Sequence, residues 1–199
     1  AVAYTQWATK AYNEYPDRIF KEVLIRLPTE EEWQYAASGG RDYQQLPWDG
    51  TSVFDEDGEL RANFGYIPQT AMYRDSLWKF VPLKDTIVKK QFILGSGFDH
   101  WQADLLAPVD AYQPNDFGLY NMAGNVEEMV VRECNKDDVR YHYFMPCDST
   151  LSNTTNITRG GSWNDPGAYL RTDVRQFYEG TYYTSSEIGF RLVLEVVRF

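Results

Sequence analysis

The chain opens with apolar residues at helical spacing over residues 1 to about 15, which predicts an amino-terminal helix. The repeating positions are Ala3, Trp7, Ala8 and Ala11. Neither a helix-capping residue nor an initiator Met precedes this helix. We therefore expect an amino-terminal portion of the protein to lie upstream of this sequence.

A second helix is predicted from both a capping signal and an apolar face. Thr29 is followed three residues later by Glu32, which is the pattern of a capping box. The acidic first turn of this helix suits the helix dipole. The residues predicted to face the core are Trp33, Ala36 and Ala37. Gly39 and Gly40 predict the end of the helix, because glycine adopts the left-handed backbone found there.

The rest of the chain is predicted to form turns and short strands. Residues 42–118 are rich in Gly, Pro, Asp and aromatic residues, and residues 188–197 form a β-rich run that predicts a final strand. Two elaborated loops are expected, at 74–106 and at 132–158. Without repeats or linkers, residues 1–199 predict a single α+β domain in which a few helices pack on short antiparallel strands.

The composition limits the classes of partner. With 199 residues, 43% of them hydrophobic, the chain is long enough to bury the core of one domain. Its formal net charge of -10 excludes nucleic acid and anionic membrane surfaces on electrostatic grounds and favours divalent cations or basic partner surfaces. No apolar run approaches the roughly 20 residues that span a bilayer.

The chain has two cysteines, Cys134 and Cys147, close together in a polar stretch. They are compatible with one local disulfide or with two reduced thiols. We favour the disulfide, because a covalent link would limit the entropy of the elaborated loop there. A zinc site is not supported, since His100 and His142 are the two histidines of the chain.

Four separated strings carry a family resemblance. They are RLPTEEEWQYAA at 26–37, GLYNMAGNVEE at 118–128, RGGSWNDPGAYL at 159–170 and GFR at 189–191. With these strings the chain resembles the formylglycine-generating enzyme (sulfatase-modifying factor) family. The resemblance implies a variant of the C-type-lectin fold with little regular secondary structure.

In enzymes of that family, two cysteines soon after the Arg-Gly-Gly-Ser-aromatic turn bind copper and perform the chemistry. By position these cysteines fall on Asp165 and about Leu170, and neither residue carries a thiol. The resemblance therefore implies an inherited fold without its reaction centre. We predict that the protein is not an enzyme.

The resemblance also implies calcium as a cofactor. In family enzymes one loop binds calcium through an Asn side chain, two backbone carbonyls and a Glu carboxylate, and the matching ligands are Asn121, Gly124, Val126 and Glu128. Calcium takes six to eight oxygen ligands, and a glycine-bearing loop can turn carbonyls toward an ion. Without the resemblance, Asn and Glu here would be read as ordinary turn-capping residues.

A second calcium site is implied less completely. The candidates are Asn63 and Phe64 for its first half, and Asp99 and Trp101 for its second half, with Asp104 as a rival ligand. Elsewhere, Arg191 is expected to pair with a buried carboxylate or with carbonyls. The neighbouring carboxylates of Glu127 and Glu128 are expected to be solvated, apart from the metal role of Glu128.

The aromatic-rich loops and the string that begins at Arg159 resemble the gliding-motility and type IX secretion lipoproteins of this family. This resemblance implies a non-catalytic, calcium-stabilised structural or binding module in the periplasm, outer membrane or cell surface. Its partners would be other protein subunits of an envelope assembly, with membrane attachment only through a lipid anchor outside this segment. The alternatives are a metal-dependent oxidase of the formylglycine-generating type with a divergent active site, or a lectin-like ligand-binding module.

Overall fold

A computed structural model describes residues 1–41, 45–57, 59–65, 106–131, 155–179 and 185–199, together with the backbone of 72–74 and 80–82. The helices are α1 (Val2–Glu14) and α2 (Glu30–Ala37), and a 3₁₀ helix covers Gly167–Leu170. The strands are β1 (Glu22–Arg26), β2 (Met72–Arg74), β3 (Phe80–Pro82), β4 (Glu127–Val130), β5 (Thr155–Arg159), β6 (Gln176–Glu179), β7 (Ile188–Gly189) and β8 (Val193–Arg198). Cys134, Cys147, Asp99, Trp101 and Asp104, with most of the loops 74–106 and 132–158, lie outside the described residues.

The strands form three small sheets within the described part of the chain. One has the order β6-β5-β4-β7, and the other two are the pairs β1-β8 and β2-β3. All pairs are antiparallel, as the sequence predicts, except β4 with β7, which is parallel. The predicted strand at 188–197 is two strands, because β7 joins β4 while β8 joins β1 in a different sheet.

Helix α1 is confirmed, but its buried side is polar. Its one buried residue is Thr5, whereas Trp7 is 62% exposed. The physical reason lies in the free edge of β1, whose backbone groups need partners. Thr9 Oγ1 accepts a hydrogen bond from the Ile25 N–H (2.9 Å) and donates to the Ile25 carbonyl (3.0 Å). Asn13 makes the equivalent pair of bonds to the Val23 backbone, both at 2.9 Å.

Helix α2 forms as predicted. Thr29 Oγ1 accepts from the Glu32 N–H at 3.2 Å, and Glu32 Oε2 accepts from the Thr29 N–H at 2.9 Å, which completes the capping box. Trp33 and Ala37 are buried, and Ala36 packs against the same cluster. This first core cluster consists of Trp33, Ala37, Met122, Val130 and Ile157. A second cluster consists of Leu46, Ala62, Phe64, Ala123 and Leu170.

Two buried charges hold β5 against α2. Arg159, which begins the RGGS string, forms a 2.7 Å salt bridge with Glu30, and both side chains are almost completely buried. Arg159 also donates to the carbonyl of Thr172 at 3.0 Å. Breaking one member of such a pair leaves an uncompensated buried charge, so the pair ties the helix to the turn that follows β5.

Neither helix within the described residues is both long enough and apolar enough to cross a bilayer.

Candidate functional site

The turn after β5 is organised by Asp165, which the family resemblance matches to the first of the two enzyme cysteines. Its Oδ2 accepts hydrogen bonds from the backbone N–H of Ser162 (2.8 Å) and from the Ser162 hydroxyl (2.7 Å). Its Oδ1 accepts from the side-chain amide of Gln176 on β6 at 3.1 Å. The carboxylate therefore has three donors from the protein itself.

The second of these positions belongs to the core. Leu170 lies at the end of the 3₁₀ helix and is 0% exposed. It packs in the second core cluster with Phe64 and Ala123. Leu170 therefore contacts apolar groups, whereas Asp165 is a hydrogen-bonded carboxylate.

Glu127 lies fully buried at the start of β4. Its carboxyl group accepts from the Tyr178 hydroxyl at 2.6 Å and from the Thr158 hydroxyl. Burial raises the pKa of Glu127 to about 7, the hydrogen bonds from Thr158 and Tyr178 oppose that rise, and the nearby Asp165 carboxylate adds to it. The expectation of a solvated carboxylate at Glu127 is therefore wrong, because β5 and β6 cover it.

With a pKa of about 7, Glu127 can exchange a proton near neutral pH. The Ser162 hydroxyl donates to Asp165 and is itself fully buried. The described residues place no histidine at Ser162. They also contain no group of three or more His, Cys, Asp or Glu side chains arranged to hold a metal ion.

Glu128, the neighbour of Glu127, is 6% exposed and points to different partners. Its carboxylate accepts from Trp33 Nε1 at 2.6 Å, from Arg191 Nε at 2.5 Å and from Arg191 Nη2 at 2.6 Å. Arg191 Nη2 also donates to the carbonyl of Tyr120 at 3.1 Å. The predicted pairing of Arg191 with a buried carboxylate is confirmed, and the same guanidinium brings the two ends of the 120–128 loop together.

The calcium-ligand candidates Asn121, Gly124, Val126 and Glu128 all lie on this loop. Asn121 has φ +50° and donates through Nδ2 to the carbonyls of Pro108 and Val109 at 3.1 and 2.9 Å. Its Oδ1 is buried and has no hydrogen-bond partner among the described residues. An unsatisfied buried oxygen is unusual and fits a cation ligand.

The Glu128 carboxylate has a lone pair that its protein donors do not use. An ionised carboxylate offers about four lone-pair sites, and Trp33 and Arg191 occupy three of them. These donors leave one lone-pair site of Glu128 Oε1 unused. The donor chemistry of the loop fits calcium, a cation that takes amide, carbonyl and carboxylate oxygens.

Asn63 and Phe64, the first half of the second candidate site, are both buried. The Asn63 side-chain amide donates to Asn125 Oδ1 at 3.3 Å, and the Asn63 carbonyl accepts from the Asn125 N–H at 2.7 Å. Phe64 lies in the second core cluster. The other half, Asp99 and Trp101, lies outside the described residues, so this site stays a prediction.

Asn125 is a residue that the sequence reasoning missed. It has φ +68°, and its side chain pairs with the Ala107 backbone N–H and carbonyl at 2.8 and 3.2 Å. Its own carbonyl accepts from the Trp163 N–H at 2.9 Å. Asn125 therefore joins three loops next to the candidate calcium loop. Its position in the NMAGNV string was the available signal, since Asn tolerates the left-handed backbone.

Residues 1–196 match the family model described as the sulfatase-modifying factor enzyme 1-like domain. The chain is 35% identical over 129 residues to the formylglycine-generating enzyme of Thermomonospora curvata, covering 64% of this chain and 29% of that protein. It is 28% identical over 145 residues to the inactive C-alpha-formylglycine-generating enzyme 2 of Bos taurus, covering 70% and 33%. It is 30% identical over 138 residues to the chaperone protein LppX of Paenibacillus barcinonensis, covering 69% and 38%. The chain thus spans well under half the length of these relatives.

Two solved structures share the fold. PvdO from Pseudomonas aeruginosa aligns with a TM-score of 0.58 and 22% identity, covering 98% of this chain and 58% of that one. The Treponema denticola variable protein 1 aligns with a TM-score of 0.50 and 25% identity, covering 86% and 48%. The resemblance carried by the four strings is confirmed: the chain belongs to the sulfatase-modifying factor enzyme 1-like domain family, whose members include both formylglycine-generating enzymes and proteins named as inactive.

Proposed function

We propose that this domain is a non-catalytic, calcium-stabilised structural or binding module of an extracytoplasmic protein assembly, built on a variant of the C-type-lectin fold. The observation that carries the proposal is the state of the two positions that hold cysteines in the enzymes. Asp165 is a carboxylate with three protein donors, and Leu170 is a fully buried core residue.

The chemistry of copper supports the non-catalytic part. Cu(I) is a soft ion that prefers thiolate and thioether sulfur over carboxylate oxygen. Leu170 offers no donor atom at all, and its packing with Phe64 and Ala123 gives it a structural role. A relative named as an inactive enzyme shows that the family accommodates such members.

One observation favours the alternative, a metal-dependent oxidase with a divergent active site. The carboxyl group of Glu127 lies near that of Asp165, which the family resemblance matches to one of the two enzyme cysteines. Against a metal role, Glu127 already accepts from two hydroxyl groups, and its raised pKa favours the protonated form that binds cations poorly.

An activity assay tests the non-catalytic proposal. The purified chain is incubated with a cysteine-containing sulfatase-derived peptide, copper, oxygen and a thiol reductant. Formylglycine is measured by mass spectrometry, with the Thermomonospora curvata enzyme as positive control. We expect no product from this chain. Turnover that Asp165→Asn abolishes would overturn the proposal and favour the divergent enzyme.

The calcium part rests on the orphaned Asn121 oxygen. We expect calcium to raise the melting temperature of the protein and a chelator to lower it, because an ion that binds only the folded state stabilises it. Asn121→Ala should remove this difference. Asn164→Ala is a matched control, since Asn164 is exposed and its side chain donates to Glu187, which is not a proposed calcium ligand. A melting temperature that is the same with calcium and with chelator would contradict the proposal.

An exposed aromatic group on α1 supports the assembly role. The Tyr4 ring contacts those of Trp7 and Phe190 in tilted arrangements, with ring centroids 5.4 and 5.8 Å apart, and all three side chains are at least 40% exposed. Exposed aromatic residues act as anchors in protein interfaces. With a net charge of -10, the favoured occupant is a protein subunit with a basic surface.

The mass of the natively purified protein in solution tests this role. We expect a defined complex, and we expect Trp7→Ser to release the chain from it. Tyr15→Ser is the control, because Tyr15 is similarly exposed but makes no ring contact in the described structure. A monomeric native protein would contradict an assembly role.

A further inference from the structure

A cleft of about 510 Å³ lies between the loop at 47–61 and the segment 111–123. Its volume is in the range of about 300–1,000 Å³ that is typical of small-molecule sites. It is a different place from the Asp165 turn, because none of its lining residues belongs to the segments 159–176 or 185–199.

Two aromatic side chains line this cleft. Trp48 is held in position by a 2.7 Å hydrogen bond from its Nε1 to the Ser52 carbonyl. Tyr112 lines the cleft from the other loop. Its neutral hydroxyl can both donate and accept a hydrogen bond.

The charged lining carries both signs. Asp55, Glu59 and Arg61 all line the cleft, and none of them forms an ion pair within the described part of the chain. Asp55 Oδ1 accepts from the N–H groups of Asp57 and Glu59 at 3.0 and 2.9 Å, which fixes its side chain. Two carboxylates and one guanidinium therefore retain hydrogen-bonding capacity at one wall.

The opposite wall is preformed. Asn115 Oδ1 accepts from the N–H groups of Phe117 and Leu119, both at 3.1 Å, and its Nδ2 donates to the Ala36 carbonyl at 2.6 Å. These bonds fasten the 111–123 segment to the end of α2. A wall that is already ordered reduces the entropic cost of binding a ligand.

We propose that this cleft binds a neutral saccharide, with a pyranose ring packed against Trp48 and Tyr112 and its hydroxyl groups on Asp55, Glu59 and Arg61. Sugar hydroxyls both donate and accept, so they satisfy carboxylates and a guanidinium together. The two carboxylates of Asp55 and Glu59 would repel an anion, whereas a neutral ligand with many hydroxyl groups can satisfy the carboxylates and the Arg61 guanidinium at once. This site does not depend on the assembly role proposed above, but its lining includes Asn121 of the candidate calcium loop.

A glycan array followed by calorimetric titration tests the site. The purified chain is applied to an array of neutral pyranosides, and the best saccharide is titrated into the wild type and the variants. We expect Asp55→Asn and Glu59→Gln each to weaken binding by roughly tenfold or more, as for the loss of a hydrogen bond to a charged group. Glu56→Gln is the matched control with unchanged affinity, because Glu56 is exposed on the same loop and does not line the cleft.

Three results would overturn the proposal. One is an array on which no neutral saccharide binds above background. Another is a saccharide whose affinity is the same in the wild type, Asp55→Asn and Glu59→Gln. The third is tighter binding of N-acetyl-arginine amide than of any saccharide, which would make the cleft a receptor for a cationic side chain. Circular dichroism of each variant separates loss of binding from loss of fold.

Discussion

Asp165 accepts hydrogen bonds from both the backbone N–H and the hydroxyl of Ser162, at 2.8 and 2.7 Å, and Ser162 is completely buried. The carboxylate is thus the internal acceptor that closes the turn after β5. This arrangement gives Asp165 a structural role in the turn.

Asp165→Ala should lower the free energy of unfolding by about 1–3 kcal/mol, because it leaves buried donors unsatisfied. Ser162→Ala removes one donor and leaves the backbone bond, so its cost should be smaller, about 0.5–1.5 kcal/mol. Urea denaturation measures both. Equal costs, or no cost at Asp165, would show that the carboxylate does not hold the turn.

Leu170→Ala should cost about 2–5 kcal/mol of unfolding free energy, because it opens a cavity in the second core cluster. Leu170→Met keeps the volume and should cost less than about 1.5 kcal/mol. Both values come from the same urea denaturation experiment. A small loss for Leu170→Ala would mean that position 170 is not part of the core.

The features that the sequence predicted well are local. Helix α2 follows from a capping box that joins Thr29 to Glu32 within one turn and from apolar residues on one face. The family strings likewise identify loops whose glycines have positive φ, such as Gly160 and Gly161. Such signals lie within a few residues of one another, so the chain alone reveals them.

The features that could not be predicted from the sequence depend on contacts between distant segments. Helix α1 turns Thr9 toward the edge of β1, where its hydroxyl hydrogen-bonds both the N–H and the carbonyl of Ile25, 16 residues away. Glu127 is buried by Thr158 and Tyr178, which lie 31 and 51 residues further along the chain. No periodicity in the sequence specifies which residues of other strands will cover a carboxylate.

Glu32 should make stability depend on acid pH. The hydrogen bond from Arg26, together with the Thr29 N–H bond, lowers the pKa of Glu32 in the folded protein from 4.5 to about 2 against the opposing effect of burial. The unfolded chain therefore binds the proton more readily, so the stabilisation is present above about pH 4.5 and is lost as the pH falls toward 2.

Denaturation at several pH values between 2 and 6 tests this linkage. The quantity compared is the difference in free energy of unfolding between the wild type and Glu32→Gln. We expect the difference to shrink as the pH falls. The control is Glu31→Gln, which lies exposed on the same helical turn and has no ion pair in the described structure. A difference that does not change with pH would show that the Arg26 pair does not stabilise the fold.

Gly124 allows the calcium-candidate loop to approach its neighbour closely. It has φ +72°, and a Cβ at this position would overlap the carbonyl oxygen of Asn63. Gly50 is a matched control, with φ +79° and no described group within 4 Å of the place that an alanine methyl would occupy. Alanine at either position carries the left-handed backbone cost of about 1–2 kcal/mol.

Gly124→Ala should therefore cost about 1–3 kcal/mol more than Gly50→Ala, because overpacking adds to the backbone strain. It should also reduce the calcium-dependent rise in melting temperature, since the Gly124 carbonyl is a proposed ligand, whereas Gly50→Ala should leave that rise intact. Urea denaturation and thermal melts with calcium or chelator measure the two effects. Equal costs for the two variants would show that the Asn63 contact does not constrain the loop, and an unchanged calcium response in Gly124→Ala would argue against the proposed ligand set.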